Sequence, residues 1–294
     1  MTGPRKPRLR FFETSSSQRH IEEDDKYLYR REAPRFRFNI IGTGTIGQEH
    51  MRVTSLLGAG RVHGIFDERP HSMAVATEEH VRRGETAPVH YADLASACND
   101  PDADALFICT PNHTHINVVE VAAKSGKAIF LEKPMATTLN DARKIVEVAA
   151  DYPSIIQVGL QYRYKAPYVE ARHEILERGA IGGVQTISMC EYRPPFLDKV
   201  EQWNKFSRCS GGTLIEKCCH YFDLMNLFAG AEPVRVYASS GQAVNFVDFE
   251  REGAASDIDD HGYVIVDYRN GVRGNFTLNM FSPHFFEELV VTGT

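Results

Sequence analysis

Phe38-Asn39-Ile40-Ile41-Gly42-Thr43-Gly44-Thr45-Ile46-Gly47 is the stretch that decides how the first half of this chain folds. Three of its first four residues are apolar and predict a short buried strand. G-x-G-x-x-G follows at once and opens a helix expected from Ile46 to Leu57. Gly42 allows the tight turn, Gly44 lets the backbone approach a pyrophosphate, and Gly47 lets the helix pack closely on the strand. The N–H groups at the helix start then face the phosphates. A second strand, Arg61 to Phe66, ends at Asp67, about 20 residues beyond Gly47, the spacing of the acid that binds a ribose 2′-hydroxyl. Gly42, Thr43, Gly44, Thr45, Ile46, Gly47 and Asp67 are therefore the expected dinucleotide-binding residues. The Asp67 carboxylate repels a 2′-phosphate and favours NAD, whereas Arg69 keeps NADP open. The competing reading of Asp67 is a helix N-cap.

Outward from this stretch, strands alternate with helices of about a dozen residues. A helix from His71 to Arg83 and a short strand at Val89-His90-Tyr91 come next, and Asp93 is placed to cap the following helix. The buried strand Asp104 to Cys109 opens into Thr110-Pro111-Asn112-His113-Thr114-His115. Pro111 and Asn112 suit a turn beneath a nicotinamide ribose. His115 falls in the first turn of a helix, where the dipole lowers an imidazole's pKa; the competing reading is a solvated helix-start histidine. Ile129-Phe130-Leu131, read as a strand buried on both faces, runs into Glu132-Lys133-Pro134. In a parallel sheet this is the edge where ligands bind, so Lys133 would present an ammonium to a crevice. The alternative is an ordinary strand-end salt bridge. A Lys-Pro bond is cis in only about 5–6% of cases. A helix from Leu139 to Ala150 and a strand from Ile155 to Val158 complete a Rossmann-type, doubly wound parallel α/β sheet over residues 36–160.

The pattern then changes. Ala166 to Arg178 is amphipathic and stops at Gly179. Long period-2 strands follow at Gly183–Tyr192, Val234–Gly241, His261–Tyr268, Val272–Met280 and Phe285–Val291, with Arg269-Asn270-Gly271 as a tight hairpin. They predict an α+β domain, 161–294, with a large open antiparallel sheet. One helix, Gly212 to Phe228 with Thr213 as its N-cap, interrupts them. Leu214, Cys218, Tyr221 and Met225 mark its apolar stripe. Glu216 and His220, four residues apart, share a face and form a candidate proton-transfer pair.

The chain has 294 residues and a net charge of −6, which argues against nucleic acid as a partner. No apolar run is long enough to span a bilayer, so no membrane partner is expected. Six cysteines without a C-x-x-C pair suit a reducing cytoplasm, and Cys218-Cys219-His220 lacks a second ligand pair at zinc spacing, so no metal is expected. Residues 1–35 are polar and aperiodic and read as a disordered extension, with a short helix conceivable around 22–31.

With these motifs in order, the sequence resembles the Gfo/Idh/MocA family of NAD(P)-dependent oxidoreductases over about residues 36–294. The resemblance rests on the Gly42/Gly44/Gly47 loop, Thr110-Pro111-Asn112 with His115, Glu132-Lys133-Pro134, and Gly211-Gly212-Thr213 followed by Glu216 and His220. It implies hydride transfer between a nicotinamide and a hydroxyl-bearing carbon of a sugar, cyclitol or other polyol. It assigns Lys133, His220 and Glu216 as catalytic, and Thr110, Pro111, Asn112, His115, Glu132 and Lys133 to the cofactor along with Arg69. Arg163, Lys133, Glu216, Lys217 and His220 would meet the substrate. Glu216 stands where the family commonly has Asp, and Lys217 where it has an apolar residue; Lys217 then either adds a second cation or points to solvent. The family's last domain normally continues beyond Thr294, so the chain reads as C-terminally truncated. A homo-oligomer, dimer or tetramer, is expected from the broad sheet. The rival readings are an NAD-dependent glycosidase of the same fold and a catalytically inactive binding relative.

Overall fold

The computed structural model describes residues 34–294. The expected N-terminal extension and its helix lie outside the described residues up to 33. Contacts divide the chain into two units. One runs to Met135 and resumes over Leu139–Val158; the other takes Ala136–Thr138 and Gly159–Thr294.

The first unit alternates strand and helix: β1 (Phe36–Ile41), α1 (Thr45–Leu57), β2 (Gly60–Phe66), α2 (Pro70–Arg82), β3 (Val89–His90), α3 (Leu94–Asn99), β4 (Ala105–Ile108), α4 (His115–Ala122), β5 (Ala128–Leu131), α5 (Leu139–Ala150) and β6 (Ile156–Val158). Its six strands lie in the order β3-β2-β1-β4-β5-β6, and every pairing is parallel. The order reverses between β1 and β4, which makes a switch point at the C-terminal edge. Ile40, Ile41, Ile65, Leu106, Ile108, Ile129 and Leu131 are fully buried between the helical layers. Burial in β5 alternates: Ile129 and Leu131 are sealed, while Ala128 and Phe130 are half-buried. The strand is thus less enclosed than its unbroken apolar run predicts. Asp93 caps α3, accepting the Ser96 N–H at 2.8 Å.

Two glycines set the first turn. Gly42 has φ +92°, and a Cβ there would lie 2.7 Å from the Cys109 carbonyl carbon and the Thr110 nitrogen. A Cβ on Gly47 would come within 2.0 Å of the Gly42 oxygen. Helix α1 thus rests first on the turn that precedes it, whereas the expected contact with the strand, at Ile40 Cγ2, is more distant at 3.4 Å.

The second unit contains α6 (Ala166–Arg172), β7 (Val184–Tyr192), α7 (Ser207–Ser210), α8 (Thr213–Glu216), α9 (Cys219–Ala229), β8 (Pro233–Gly241), β9 (Glu250–Arg251), β10 (Ala254–Ala255), β11 (His261–Tyr268), β12 (Arg273–Asn279) and β13 (Phe286–Gly293). The large sheet runs β13-β7-β12-β11-β8. It is mixed, not antiparallel throughout: β7 pairs with β12 in parallel, and the other neighbours are antiparallel. Period-2 patterning reports which face is buried and is blind to direction. One sheet face packs Ile187, Met189, Val264, Val266, Phe276 and Leu278 against α9, which contributes Tyr221, Leu224, Met225 and Phe228. The other face exposes Tyr237, Tyr263, Ile265 and Val290.

Two helices differ from expectation. The Ala166 segment passes from α6 into a π-helical turn at His173–Glu177 before Gly179 turns left-handed at φ +64°. The helix expected over Gly212–Phe228 is two helices, broken at Lys217 and Cys218. Its cap is Gly212, and Thr213, inside the first turn, donates its hydroxyl to the Asp259 carbonyl. The apolar stripe holds across the break: Cys218, Tyr221 and Met225 are fully buried and Leu214 packs beside them.

Because the Gly47 contact is with backbone, it cannot be relieved by a rotamer change. Gly47→Ala should lower stability by about 1–3 kcal/mol, read as a fall in the thermal unfolding midpoint. An unchanged midpoint would show that α1 shifts freely.

Candidate active site

At the switch point, the loops after β1, β2, β4 and β5 meet. Gly42 N donates to Phe66 O at 2.8 Å, Cys109 N to Ile41 O at 2.7 Å and Glu132 N to Ile108 O at 3.0 Å, so the strand ends are stitched at one level. Gly44 is the N-cap of α1, and no side chain caps that helix. The amide-rich end of a thirteen-residue helix is therefore open to an anionic group. Asp67 approaches the loop directly. Its Oδ2 accepts the Thr43 N–H at 2.7 Å and the Thr43 hydroxyl at 3.2 Å, and its Oδ1 accepts the Arg69 N–H at 2.9 Å. Asp67 is not the cap of α2, a position held by Arg69. Gln48 Nε2 donates to the Thr43 carbonyl at 2.9 Å and steadies the same loop.

The β4 and β5 loops are joined by His115. Its imidazole is fully buried, with Nδ1 2.9 Å from Pro134 O and Nε2 3.1 Å from Thr110 O. Burial holds its pKa below the ordinary histidine value, against the pull of those carbonyls. Desolvation, not the helix dipole, is the main cause, and the solvated alternative is overturned. His115 is enclosed, so it supports the two loops instead of presenting a surface to a ligand. Asn112 is buried beside it, and Thr114 Oγ1 donates to Pro111 O at 2.7 Å.

Glu132 and Lys133 follow β5, and the Lys133–Pro134 peptide is cis. The Glu132 carboxylate is braced at both oxygens: Oε1 lies 2.7 Å from His50 Nε2, and Oε2 accepts the Lys133 N–H at 3.0 Å. Burial alone would raise the Glu132 pKa, but the hydrogen bond and charge of His50, with Lys133, hold it below the usual carboxylate range. His50 sits on α1 with its ring edge against Phe130, ring centres 5.1 Å apart. Sequence spacing gave no notice of His50, because its partner Glu132 lies 82 residues away in the chain.

The second unit holds the other expected residues. Glu216 and His220 are 3% and 2% exposed, so both are interior residues, but the break at Lys217 and Cys218 falls between them and they do not share one continuous helix face as expected. Lys199 Nζ lies 3.9 Å from Glu216 Oε1. The His220 ring stacks on Tyr162, with centres 4.2 Å apart and planes 9° from parallel. Tyr162 belongs to a 3-10 turn, Gln161–Tyr164, that also carries Arg163. Arg163 forms a two-pronged pair with Asp223, both contacts at 2.6 Å, which raises its pKa further.

Lys217 is 8% exposed, which overturns the solvent-pointing alternative. Its Nζ donates to the Tyr162 hydroxyl at 2.6 Å and lies 3.1 Å from Oε1 of Glu191, which is fully buried on β7. The second contact is an ion pair off the line of a hydrogen bond. Arg193 approaches the same carboxylate at 3.8 Å. Glu191 and Tyr162 were not among the expected site residues. An acid in a period-2 strand ordinarily faces solvent, and its partner lay elsewhere in the chain.

Two family models match: "Oxidoreductase family, NAD-binding Rossmann fold" over residues 36–160, and "GFO/IDH/MocA C-terminal domain" over 169–294. The chain is 30% identical over 208 residues to an uncharacterised oxidoreductase, YrbE, of Bacillus subtilis (strain 168), covering 70% of this chain and 57% of the relative. It is 29% identical over 211 residues to an inositol 2-dehydrogenase of Rhizobium meliloti (strain 1021), covering 71% and 59%. Less than two thirds of either relative's length is thus spanned. Among solved structures, a levoglucosan dehydrogenase in complex with NADH and levoglucosan superimposes with a TM-score of 0.75 at 22% identity, covering 88% of this chain and 71% of that one. At that identity the likeness concerns fold.

The Glu132 carboxyl has a lowered folded pKa, so its stabilising contribution is complete above the unfolded value of about 4.3 and is lost as pH falls through the lower folded value. Glu132→Gln should therefore be less stable than the parent near neutrality, with the gap closing in that acid window. Thermal melts across pH measure this; a gap independent of pH would show that Glu132 is not held ionised.

Proposed function

This chain belongs to the GFO/IDH/MocA oxidoreductase family, and on that premise we propose that it is an NAD-dependent dehydrogenase acting on a hydroxyl-bearing carbon of a cyclitol, sugar or related polyol. The observation that carries the reading is the single sheet edge at which an uncapped α1, Asp67, Thr110-Pro111-Asn112 and Glu132-Lys133 come together. These residues fit a dinucleotide: backbone amides for the pyrophosphate, a carboxylate for the ribose, and a half-buried lysine after β5. Asp67 favours NAD over NADP, although Arg69 stands beside it. The polyol class is supported by the names of the relatives, an inositol 2-dehydrogenase and a levoglucosan dehydrogenase.

When bound, NAD supplies the hydride acceptor at nicotinamide C4. His220 takes the proton of the substrate hydroxyl as the carbon is oxidised. The Lys133 ammonium stabilises the developing alkoxide, acting where charge appears in the transition state. Glu216 orients His220 or accepts a neighbouring hydroxyl, and Arg163 with Lys217 lines the substrate side. Six thiols, none in a disulfide, suit a cytoplasmic enzyme, and no described helix is long and apolar enough to cross a membrane. The exposed sheet face with Tyr237, Tyr263 and Ile265 suits a homo-oligomer.

The deciding experiment follows reduced-nicotinamide absorbance with NAD or NADP across a panel of cyclitols and sugars. Turnover with at least one polyol is expected. Cofactor binding with no turnover across the panel would overturn the dehydrogenase reading. In the active reaction, Lys133→Ala should cut kcat by about 10²–10⁴-fold and leave NAD affinity nearly intact. Near-normal turnover in that variant would remove Lys133 from the chemistry.

A further inference from the structure

Tyr162 has more partners than a spacer beside a catalytic histidine would need. One is the parallel imidazole of His220 at 4.2 Å. Another is the Lys165 ammonium, 3.9 Å from the Tyr162 ring centre. An imidazole lying flat at that separation fills one face, so the ammonium occupies the other. Tyr168 continues the stack, its ring centre 6.2 Å from that of Tyr162 and 5.7 Å from the same ammonium. The ammonium is not sandwiched between the two phenols but lies to one side of the line that joins their centres. At the edge of the ring, Lys217 donates to the Tyr162 hydroxyl at 2.6 Å. Each lysine has its own carboxylate: Glu287 at 2.5 Å from Lys165, and Glu191 at 3.1 Å from Lys217. Tyr221 donates to the other oxygen of Glu287 at 3.1 Å.

An aromatic face attracts a cation through its negative quadrupole. Here one ammonium already draws on that density from the far face, and a second polarises the hydroxyl. The near face remains a flat apolar stop for a neutral imidazole and becomes a poor host for an imidazolium. We propose that Tyr162, engaged by Lys165 from behind, is a positioning residue for His220: it fixes the plane of the imidazole and favours its neutral, proton-accepting form. This rests on the reading of His220 as the proton acceptor. Other charged groups carried by α8 and α9 are Glu216 at the end of α8, with Lys199 at 3.9 Å, and Asp223 on α9, held by Arg163. All of them are left in place by the test.

The test is an NMR titration of His220 in the full chain with labelled histidine, its resonance identified by loss in His220→Gln. No turnover is required, so the result is readable whether or not a polyol substrate is found. Lys165→Met/Glu287→Gln preserves net charge and should raise the His220 midpoint by about half a unit, a three-fold gain in proton affinity. Lys165→Arg keeps a cation over the ring and should leave the midpoint where it is. In a Tyr162→Leu background the same double substitution should move it less than half as far, because the ring that relays the effect is gone. An unmoved midpoint in the first variant overturns the proposal, as does an equal shift without the ring. Should Glu287→Gln loosen the fold, Lys165→Gln compared with and without Tyr162→Leu gives the same discrimination. Dehydrogenase activity with an unmoved midpoint would overturn the positioning role alone.

Discussion

A single buried imidazole fixes the edge on which the first unit's chemistry depends. His115 reaches the carbonyl of Thr110 with one nitrogen and that of Pro134 with the other. Neither carbonyl belongs to a strand ladder, and a buried carbonyl without a partner is expensive. A neutral imidazole carries one N–H, so it donates to one of these carbonyls and lies against the other, packing both loops on one ring. The loop that carries Lys133 is thereby held in register with the loop that carries Pro111 and Asn112. Glu132 is fixed by similar means, with one oxygen toward His50 and the other on its own chain. Mobile side chains at a loop tip become fixed ones because the groups beneath them have nowhere else to bond.

The second unit meets the same demand with charge. Glu191 is buried on a strand whose outward neighbours are polar, and it is tolerated because Lys217 lies within ion-pair distance and Arg193 approaches behind it. Isolated, either charge would be costly in that interior. Together they place an ammonium on the Tyr162 hydroxyl, one residue away from Arg163 and its carboxylate partner. The break between α8 and α9 belongs to this arrangement: of the two residues at the break, Lys217 turns its side chain inward to Glu191 and Cys218 enters the apolar core.

Much of this was legible from residues alone. The glycine spacing, the distance to Asp67 and the alternation of apolar runs are local signals, and the six-stranded parallel sheet follows from them. The cap at Asp93 and the stripe through Cys218, Tyr221 and Met225 were equally local. What escaped depended on partners far apart in sequence. Period-2 runs marked β7 and β12 as strands but carried nothing about their parallel pairing. His50, Glu191 and Tyr162 acquire meaning only once Glu132, Lys217 and His220 stand beside them. The helix break at Lys217 was hidden because the apolar stripe continues through it, and Thr213 looked like a cap because its residue type favours one.

The mixed sheet also has a kinetic consequence. Strand β7 is flanked by β12, which it meets in parallel, and by β13, so Thr186 faces Arg273 on one side and Thr292 on the other. The Thr186–Thr292 hydroxyl contact joins residues 106 apart in sequence. Both flanks of β7 are thus supplied by strands far downstream in the sequence. Loop-closure entropy must be met before either pairing forms, and such non-local topologies fold slowly. During synthesis, the first unit has every strand it needs long before β7 acquires a neighbour. Until then β7 is an open edge of the kind that recruits other chains, which makes the interval before β12 and β13 emerge the time when misassembly competes with folding.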